Sequence, residues 1–260
     1  MTYTNLLRQG VRVSRGVGRN FLSGVILTFA FFFNAAHAWA EETAPDANAI
    51  IAELQAAMAS FSVIVPVDTA TGEPRLAQTE GGGVTVTRPF AYLDIDAAYI
   101  DALRAGVTET TEARIVSAVD LILSGEDHVW LTSERQAEQA GTPQDAPPVF
   151  LVQFASGESV NIDAGGVFRT PLFVRHEDAE ALAQRAKASL QQAGDSEEIS
   201  IVPTPFLSVV QGVLSGEYTG LYFVSPKANR NWLRQVEAGE KLLSRYETEA
   251  DIAARELYEE

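Results

Sequence analysis

The feature that most constrains this fold is a succession of sequence patterns that occurs twice along the chain. One copy runs from Val63 to about Ala140, and the other from Val149 to about Val236. Both begin with an apolar run and a turn glycine, and both continue as strand, helix, strand, helix, strand and helix. The repetition predicts an α+β fold of two tandem, structurally similar halves, each a mixed sheet with helices, related by a pseudo-two-fold axis.

Short landmarks set the two copies in register. Glycine supplies the positive φ of a hairpin turn, and proline is confined to strand starts and edges because it cannot donate to a ladder. The matching pairs are Gly72 and Gly157 in the hairpins, Pro89 and Pro171 in the next strands, and Asp96-Ala97 and Asp178-Ala179 at helix starts. Later helices have Ser117, Thr204 and Ser133 as expected N-caps, with Gln136 at the capping-box distance from Ser133.

The repeats also divide the chain into segments. The predicted division is a signal peptide at 1–40, an N-terminal helix at 41–60, a first half at 61–141, a second half at 149–236 and a C-terminal helical tail at 237–260. The proline-containing stretch 141–148 reads as a short linker. About 220 residues remain after the signal, which is enough to build a hydrophobic core without disulfides.

The first forty residues have the pattern of an export signal. Their only charges are four arginines between Arg8 and Arg19, and an apolar run from Phe21 to Phe33 follows. Small residues then offer cleavage near Ala38 or Ala40, which predicts export by the general secretory route to the periplasm. The alternative is an uncleaved membrane anchor, because Ala35 to Ala40 extends the apolar run toward the length of about 20 residues that a spanning helix needs.

The charge balance bears on the class of partner. The chain carries 19 Lys and Arg against 35 Asp and Glu, a formal net charge of −16. Cleavage at residue 40 removes four arginines and no acidic residue, which leaves −20. So acidic a surface repels phosphate backbones and anionic lipids. We therefore expect no nucleic-acid partner, and any membrane contact to be peripheral.

Residues that carry chemistry are few. The sequence has no cysteine, which excludes thiol catalysis and thiolate metal sites. Beyond residue 40 the histidines are His128 and His176, and neither stands at a metal-ligand spacing. The glycine runs lack the lysine of a phosphate loop and the spacing of a dinucleotide fingerprint. The sequence therefore predicts no catalytic residue, no metal and no cofactor.

One catalytic alternative stays open. Asp94, Asp96, Glu177 and Asp178 stand at helix starts that follow strands, where binding and catalytic sites do occur. Together with His176 they would serve a carboxylate-based periplasmic hydrolase or a small-ligand-binding protein.

Aromatic residues are concentrated in the second half. They are the predicted lining of an apolar client-binding pocket, because a sheet with helices on one face leaves its other face to bind a partner. Phe150 and Phe154 share one face of a strand unless a bulge intervenes, so both are expected in the core or both in the pocket. The predicted pocket residues are Phe150, Phe154, Phe173, Phe206, Tyr222 and Phe223.

Four motifs of the second half, PVFLVQFASGESV, TPLFVRHEDAEALAQRAK, ISIVPTPFLSVVQGV and LYFVSP, resemble the family of the twenty-two-kilodalton component of the chloroplast inner-envelope translocon and its cyanobacterial and bacterial relatives. The family usually has serine where this chain has Pro205. The resemblance implies a two-half α+β protein with apolar pockets that is not an enzyme. It also implies a periplasmic chaperone or escort for unfolded, translocating or outer-membrane polypeptides, working beside the outer-membrane assembly machinery.

Overall fold

The computed structural model describes residues 46–81, 84–163, 166–237 and 242–258. The predicted signal peptide, residues 1–40, lies outside these ranges. Within them, no helix combines the length and the apolar character needed to cross a bilayer.

The described residues form eight helices and ten strands. From the start to the linker they are α1 (Ala47–Ala57), β1 (Ser62–Asp68), β2 (Leu76–Gly81), β3 (Val84–Tyr92), α2 (Ile95–Arg104), β4 (Thr111–Ser117), α3 (Ala118–Leu123), β5 (Val129–Leu131) and α4 (Glu134–Ala140). From the linker onward they are β6 (Pro148–Phe154), β7 (Ile162–Asp163), β8 (Phe168–Phe173), α5 (His176–Gln192), β9 (Ile199–Pro205), α6 (Phe206–Leu214), β10 (Leu221–Val224), α7 (Lys227–Glu237) and α8 (Glu249–Tyr258). Short 3-10 turns lie at Thr108–Thr110 and Leu243–Arg245.

The strands form two five-stranded sheets with the same connectivity. In the first sheet β1 lies between β3 and β4 and is antiparallel to both, while β5 is parallel to β3. In the second, β6 lies between β8 and β9 in the same way, and β10 is parallel to β8. The predicted α+β class with mixed sheets is confirmed.

Register fixes which residues correspond between the sheets. Ile64 on β1 is opposite Tyr92, and Phe150 on β6 is opposite Phe173. On their other sides, Ile64 is opposite Ile115 and Phe150 is opposite Pro203. Ile64 and Phe150 therefore occupy the same place in their sheets.

A central core joins the two sheets. It contains Val65 and Leu93 from the first sheet, Leu151 and Leu172 from the second, and Phe206 from α6. Helices α1 and α3 add further residues to it. The inward faces of both sheets are thus buried against each other and against three helices, and this shared burial is the main apolar link between them.

Each sheet has a separate core on its outer face. On the first sheet, Ile64 and Tyr92 pack with α2, with Trp232 of α7 and with Leu243 and Tyr246 near the C-terminus. On the second sheet, the residues of β6 and β8 pack with α5. The predicted tail is therefore not one helix, since a 3-10 turn that places Leu243 in a core precedes α8.

The last helix of each half packs on the other half. Helix α4 follows the first sheet, yet Ala140 packs against the outer core of the second sheet. Helix α7 follows the second sheet, yet Ala228 and Trp232 are fully buried in the outer core of the first. Each outer core is therefore completed by a helix from the opposite half.

Two amide side chains make the same contact in this exchange. Asn229, the third residue of α7, accepts a hydrogen bond from the Ile95 N–H at 2.8 Å. Gln136, the third residue of α4, accepts one from the His176 N–H at 2.8 Å. Ile95 and His176 are the first residues of α2 and α5, whose N–H groups have no partner within their own helices. Each half thus caps a helix of the other.

The observed starts of the helices can be compared with the predicted N-cap residues. Ser117 and Ser133 are N-caps as predicted, accepting from the N–H groups of Asp120 and Gln136. The side chain of Gln136 does not complete a capping box, because it is bonded to the opposite half instead. Thr204 is not an N-cap, because it is still paired with Val149 in the ladder of β9, and α6 begins only at Phe206.

Candidate functional site: an apolar groove in the first half

The six residues predicted to line a pocket are distributed over two cores. Phe150, Phe154 and Phe173 lie in the outer core of the second sheet. Phe206 and Phe223 lie in the central core, where their rings meet edge to face with centroids 5.7 Å apart. Both members of the pair Phe150 and Phe154 are therefore core residues, one of the two arrangements expected for them.

Tyr222 differs from the other five. Its side chain is half-buried, and its hydroxyl lies 2.8 Å from the hydroxyl of Ser60. Client binding by these six residues stays a prediction, and in this structure it would require the two cores to open. The structure presents a different apolar surface that is already open.

That surface is a groove of about 550 Å³ between the outer face of the first sheet and helix α2. We call it the apolar groove. Its lining is Pro66, Arg75, Leu76, Ala77, Phe90, Tyr92, Ala98, Asp101, Ala102, Ala105, Val107, Thr111 and Leu131. The volume lies within the range of about 300–1,000 Å³ of ordinary ligand sites.

The helix side of the groove has the same small residues as the packed second half. Ala98 and Ala102 are the fourth and eighth residues of α2. Ala179 and Ala183 are the fourth and eighth residues of α5, and both are buried. In the second half Ala183 borders a smaller pocket of about 370 Å³ between α5 and β9, so the same alanines accompany openings of different size.

The difference lies on the strand side. Counting from the matched pair Ile64 and Phe150, Asp68 of β1 corresponds to Phe154 of β6. In the second sheet two phenylalanine rings are buried under α5. In the first sheet their places are taken by Ile64, which is fully buried, and by Asp68, which pairs with Arg75 of the groove lining. The groove lies beside these two residues, between the sheet and α2.

Polar groups occupy two points in the groove. The Tyr92 hydroxyl donates to Asp101 Oδ2 at 2.8 Å, and burial together with this contact raises the pKa of Tyr92 well above its ordinary value. Arg75 pairs with Asp68 at 3.3 Å and donates to the Thr110 carbonyl at 3.0 Å. The rest of the lining is predominantly apolar, with a few fixed hydrogen-bonding groups, as is usual in binding sites.

The groove opens to solvent along β2. Leu76 exposes 59% of its surface, a high value for a leucine that borders a groove. No residue of this region was among the predicted site residues. The signal is visible when both copies are counted from their first residues, Val63 and Val149, because this count sets Asp68 against Phe154.

The carboxylates of the hydrolase alternative are brought together only in part. Asp94, Asp96 and Glu177 line one polar pocket. Arg175 lies among them, 3.7 Å from Asp94 and in direct contact with Asp96. His176 is not in that lining, and its ring packs edge-on against Phe150.

The electrostatics of this polar pocket follow from its burial. Burial raises the pKa of Asp94, and the neighbouring Arg175 only partly offsets it. Burial also opposes the charge of Arg175, but Asp94 and Asp96 raise its pKa above the ordinary value. For Glu177 burial is outweighed by hydrogen bonds from its own N–H and from Gln136, with the charge of Arg135, and its pKa is lowered. In the described residues no cluster of His, Asp and Glu is arranged to hold a metal.

Comparison with known proteins gives structural likenesses. No protein-family model matches the chain, and no curated protein matches it. Among solved structures, the chain is similar to Anabaena Tic22, a protein of protein transport, with 14% identity and a TM-score of 0.47 over 71% of this chain and 96% of that one. It is also similar to Tic22 from Plasmodium falciparum, with 13% identity and a TM-score of 0.49 over 72% of this chain and 99% of that one. Both are Tic22 proteins, the family that the sequence motifs resemble.

Proposed function

We propose that this protein is a non-catalytic chaperone or escort in protein transport, which binds an extended apolar segment of a client polypeptide in the apolar groove. The observation that carries the proposal is the open groove of about 550 Å³ under α2, lined by alanines and aromatic rings, in the layer where the second half buries Phe150 and Phe154. Burying client side chains there would remove their apolar surface, and that of the lining, from water.

An extended segment is the occupant that the shape and charge favour. The groove is bounded by the outer strand β2 and by α2, so a chain lying along it can insert alternate side chains. The strongly acidic surface keeps a protein with an exposed apolar site soluble and attracts basic segments of a client.

We further propose that the mature protein works in the periplasm after cleavage near Ala38 or Ala40. Its partners would be unfolded or translocating polypeptides and the outer-membrane assembly machinery, with no nucleic acid and only peripheral membrane contact. Mass spectrometry of the protein from cells tests the cleavage: a first residue at Trp39 or Glu41 is expected, and an intact N-terminus would support the anchor instead.

We also propose that residues 61–141 and 149–236 are duplicated halves related by a pseudo-two-fold axis. The shared strand connectivity and the two matching amide contacts, from Asn229 and Gln136, support it. In an experimental structure the halves should superpose by a rotation close to half a turn. A best superposition by mere translation would contradict the proposal.

The groove is tested by placing a charge at its mouth. Leu76→Glu puts a carboxylate where the client's apolar side chains would enter, and we expect affinity for a fluorescent apolar peptide to fall about tenfold, equivalent to about 1.4 kcal/mol. Suppression of aggregation of a urea-denatured outer-membrane barrel should fall in parallel. Equal affinity and equal suppression by the variant and the natural protein would overturn the proposal.

The matched control is Leu103→Glu. Leu103 exposes 56% of its surface, close to the 59% of Leu76, but does not line the groove. Leu103→Glu changes the net charge by the same amount as Leu76→Glu and should leave the affinity for the apolar peptide unaltered. Analytical ultracentrifugation adds a second reading: if Leu76→Glu converts a dimer to a monomer, the groove is covered by a second copy, and the client proposal fails.

A further inference from the structure

A polar pocket lies at the junction of the two halves, close to the apolar groove. Its volume is about 370 Å³, and α2, α4, α5 and the segment before α8 all contribute to it. We call it the junction pocket. Its lining is Asp94, Asp96, Tyr99, Ile100, Ser133, Arg135, Gln136, Arg175, Glu177, Tyr246, Thr248, Glu249 and Ala250.

A third pocket lies beside α2 and shares lining residues with both the groove and the junction pocket. A cleft of about 370 Å³ between α2 and α4 shares Asp101 with the groove. The same cleft shares Ile100, Ser133 and Arg135 with the junction pocket. The cleft therefore borders both the apolar groove and the junction pocket, and α2 contributes residues to all three.

The junction pocket has an excess of negative charge. Four carboxylates line it against two guanidinium groups. Glu177 is already bound, since it accepts from Gln136 at 2.9 Å and pairs with Arg135 at 2.6 Å. Asp96 is also bound, because it contacts both Arg175 and the Tyr246 hydroxyl.

Two carboxylate oxygens of the lining, one from Asp94 and one from Glu249, have no hydrogen-bond partner in the residue ranges that the structure describes. Asp94 exposes 1% of its surface, and its Oδ2 has no hydrogen-bond partner among the described residues. Its other oxygen accepts from the Ala97 N–H at 2.9 Å. Oε1 of Glu249 likewise has no partner within the described part of the chain, while its Oε2 lies 3.7 Å from Lys227. A buried acceptor without a donor is costly, so a ligand that donates hydrogen bonds would be stabilised here.

Aromatic rings complete the walls. Tyr99 and Tyr246 line the pocket with ring centroids 5.3 Å apart. The faces of such rings attract ammonium and guanidinium groups. Unpartnered carboxylate oxygens, excess negative charge and aromatic walls all favour a cation that carries N–H donors.

We propose that the junction pocket binds a lysine or arginine side chain of the client whose apolar segment occupies the groove. This inference rests on the function proposed above and deepens it. Asp96 and Ala102 are six residues apart on α2, or about 9 Å. An extended chain covers that distance in roughly three residues. The preferred client segment therefore has a basic residue about three positions from its apolar residues.

Burial of Asp94 agrees with this assignment. Burial raises the pKa of Asp94, and the charge of Arg175 and the hydrogen bond from the Ala97 N–H only partly offset this effect. An entering cation would supply the missing compensation and favour the ionised carboxylate.

Two peptides that differ in one residue test the proposal on the full chain. Both carry the same apolar segment, with arginine three positions away in one and glutamine in the other. We expect the natural protein to bind the arginine peptide about tenfold more tightly. Asp94→Asn keeps an N-cap side chain on α2 and should reduce this ratio to about two or less.

Asp120→Asn is the matched control. It removes a carboxylate at the start of α3, outside both pockets, and should leave the tenfold ratio intact. If the natural protein binds both peptides equally well, the cation pocket is wrong and the groove proposal stands. A fall in the ratio as large in Asp120→Asn as in Asp94→Asn would mean that general surface charge, not the pocket, gives the preference.

A probe without apolar residues separates the two sites. Nα-acetylarginine amide, titrated at millimolar concentration and followed by NMR, should shift the amide signals near Asp94 and Tyr246 in the natural protein but not in Asp94→Asn. These shifts would support the cation pocket even if neither peptide bound to the groove. Their absence would overturn it independently of the groove.

Discussion

The two outer layers of this molecule have the same connectivity but differ in what lies between sheet and helix. Under α5 the rings of Phe150 and Phe154 are buried in the layer, and a smaller pocket of about 370 Å³ lies between α5 and β9. Under α2 the corresponding residues are Ile64 and Asp68, and a groove of about 550 Å³ remains. The same connectivity therefore accommodates two kinds of layer, one with large rings buried between sheet and helix and one with an open groove.

The largest expected effect comes from emptying the packed layer. Phe150→Ala should lower the free energy of unfolding by about 3–5 kcal/mol, because a fully buried ring leaves a cavity that its neighbours cannot fill. Urea denaturation measures the change. Phe168, which exposes 46% of its surface on β8, provides the control. Phe168→Ala should cost about 0.5 kcal/mol or less, and equal costs for the two would contradict the packing described here.

The next largest loss of stability should come from replacing the two amide side chains that cross between the halves, Asn229 and Gln136. The two losses should be unequal. Asn229 is fully buried and also donates to the carbonyls of Ser62 and Leu93 at 3.2 and 3.0 Å. Asn229→Ala leaves these groups without partners and should cost about 2–3 kcal/mol.

Gln136 is also buried, but its partners, the His176 N–H and Glu177, are only partly buried, so Gln136→Ala should cost about 1 kcal/mol. Thermal or urea unfolding compares the two, with the exposed Gln211→Ala of α6 as a control that should change little. We expect the first half to depend more strongly on α7 than the second half depends on α4. A larger loss of stability in Gln136→Ala than in Asn229→Ala would contradict this expectation.

A matched pair of alanines tests the groove against the packed layer. Ala98 and Ala179 are both fourth in their helices, with 1% and 0% of their surface exposed, and Ala98 lines the groove. Ala179→Leu inserts methyl groups into the outer core of the second sheet and should cost about 1–3 kcal/mol. Ala98→Leu has the groove to grow into, so it should cost less than about 1 kcal/mol and weaken client binding several-fold. Equal destabilisation by the two would show that the groove is closed in solution.

The smallest expected effect is on pH dependence and concerns the residues just before α2 and α5. These are Asp94 in the first half and Arg175 in the second, and they lie 3.7 Å apart. Burial raises the pKa of Asp94 above its ordinary value of 3.8. The folded state therefore holds this proton more tightly than the unfolded state, and the contribution of Asp94 to stability is greatest below pH 3.8 and is lost as pH rises through the raised pKa.

Asp94→Asn removes this titration while keeping a capping side chain. The stability of the natural protein relative to Asp94→Asn should fall between about pH 4 and neutral pH, measured by urea denaturation across that range. A difference that stays constant or rises with pH would contradict the direction of the shift.

The sequence was sufficient for the features that repeat locally. Alternation and turn glycines predicted the strands of both sheets, and Ser117 and Ser133 were found as N-caps because a cap depends on only three or four adjacent residues. Thr204 failed as a cap because its pairing with Val149 extends β9 past it, and that pairing is set by a residue 55 positions away.

The groove and the junction pocket depend on contacts between residues that are far apart in the sequence, and no local sequence pattern contains these contacts. An aromatic-rich segment was expected to form a pocket, but in close-packed interiors large rings fill space, and the opening appears where they are missing. Gln136 read as part of a local capping box, yet its amide crosses to the other half. Arg175 was not singled out, because its partners Asp94 and Asp96 are about 80 residues away and come near only when the halves meet.

The exchange of α4 and α7 has a consequence for how the chain loses its structure. A cut in the linker between the halves would yield two fragments, each lacking one of the helices that pack on its own sheet and each carrying a helix that packs on the other's. Neither fragment would close its hydrophobic layer alone, so the two would fold by associating, as subunits of a swapped dimer do. Covalent linkage turns that association into an intramolecular event, and the uncut chain should therefore unfold in a single cooperative step.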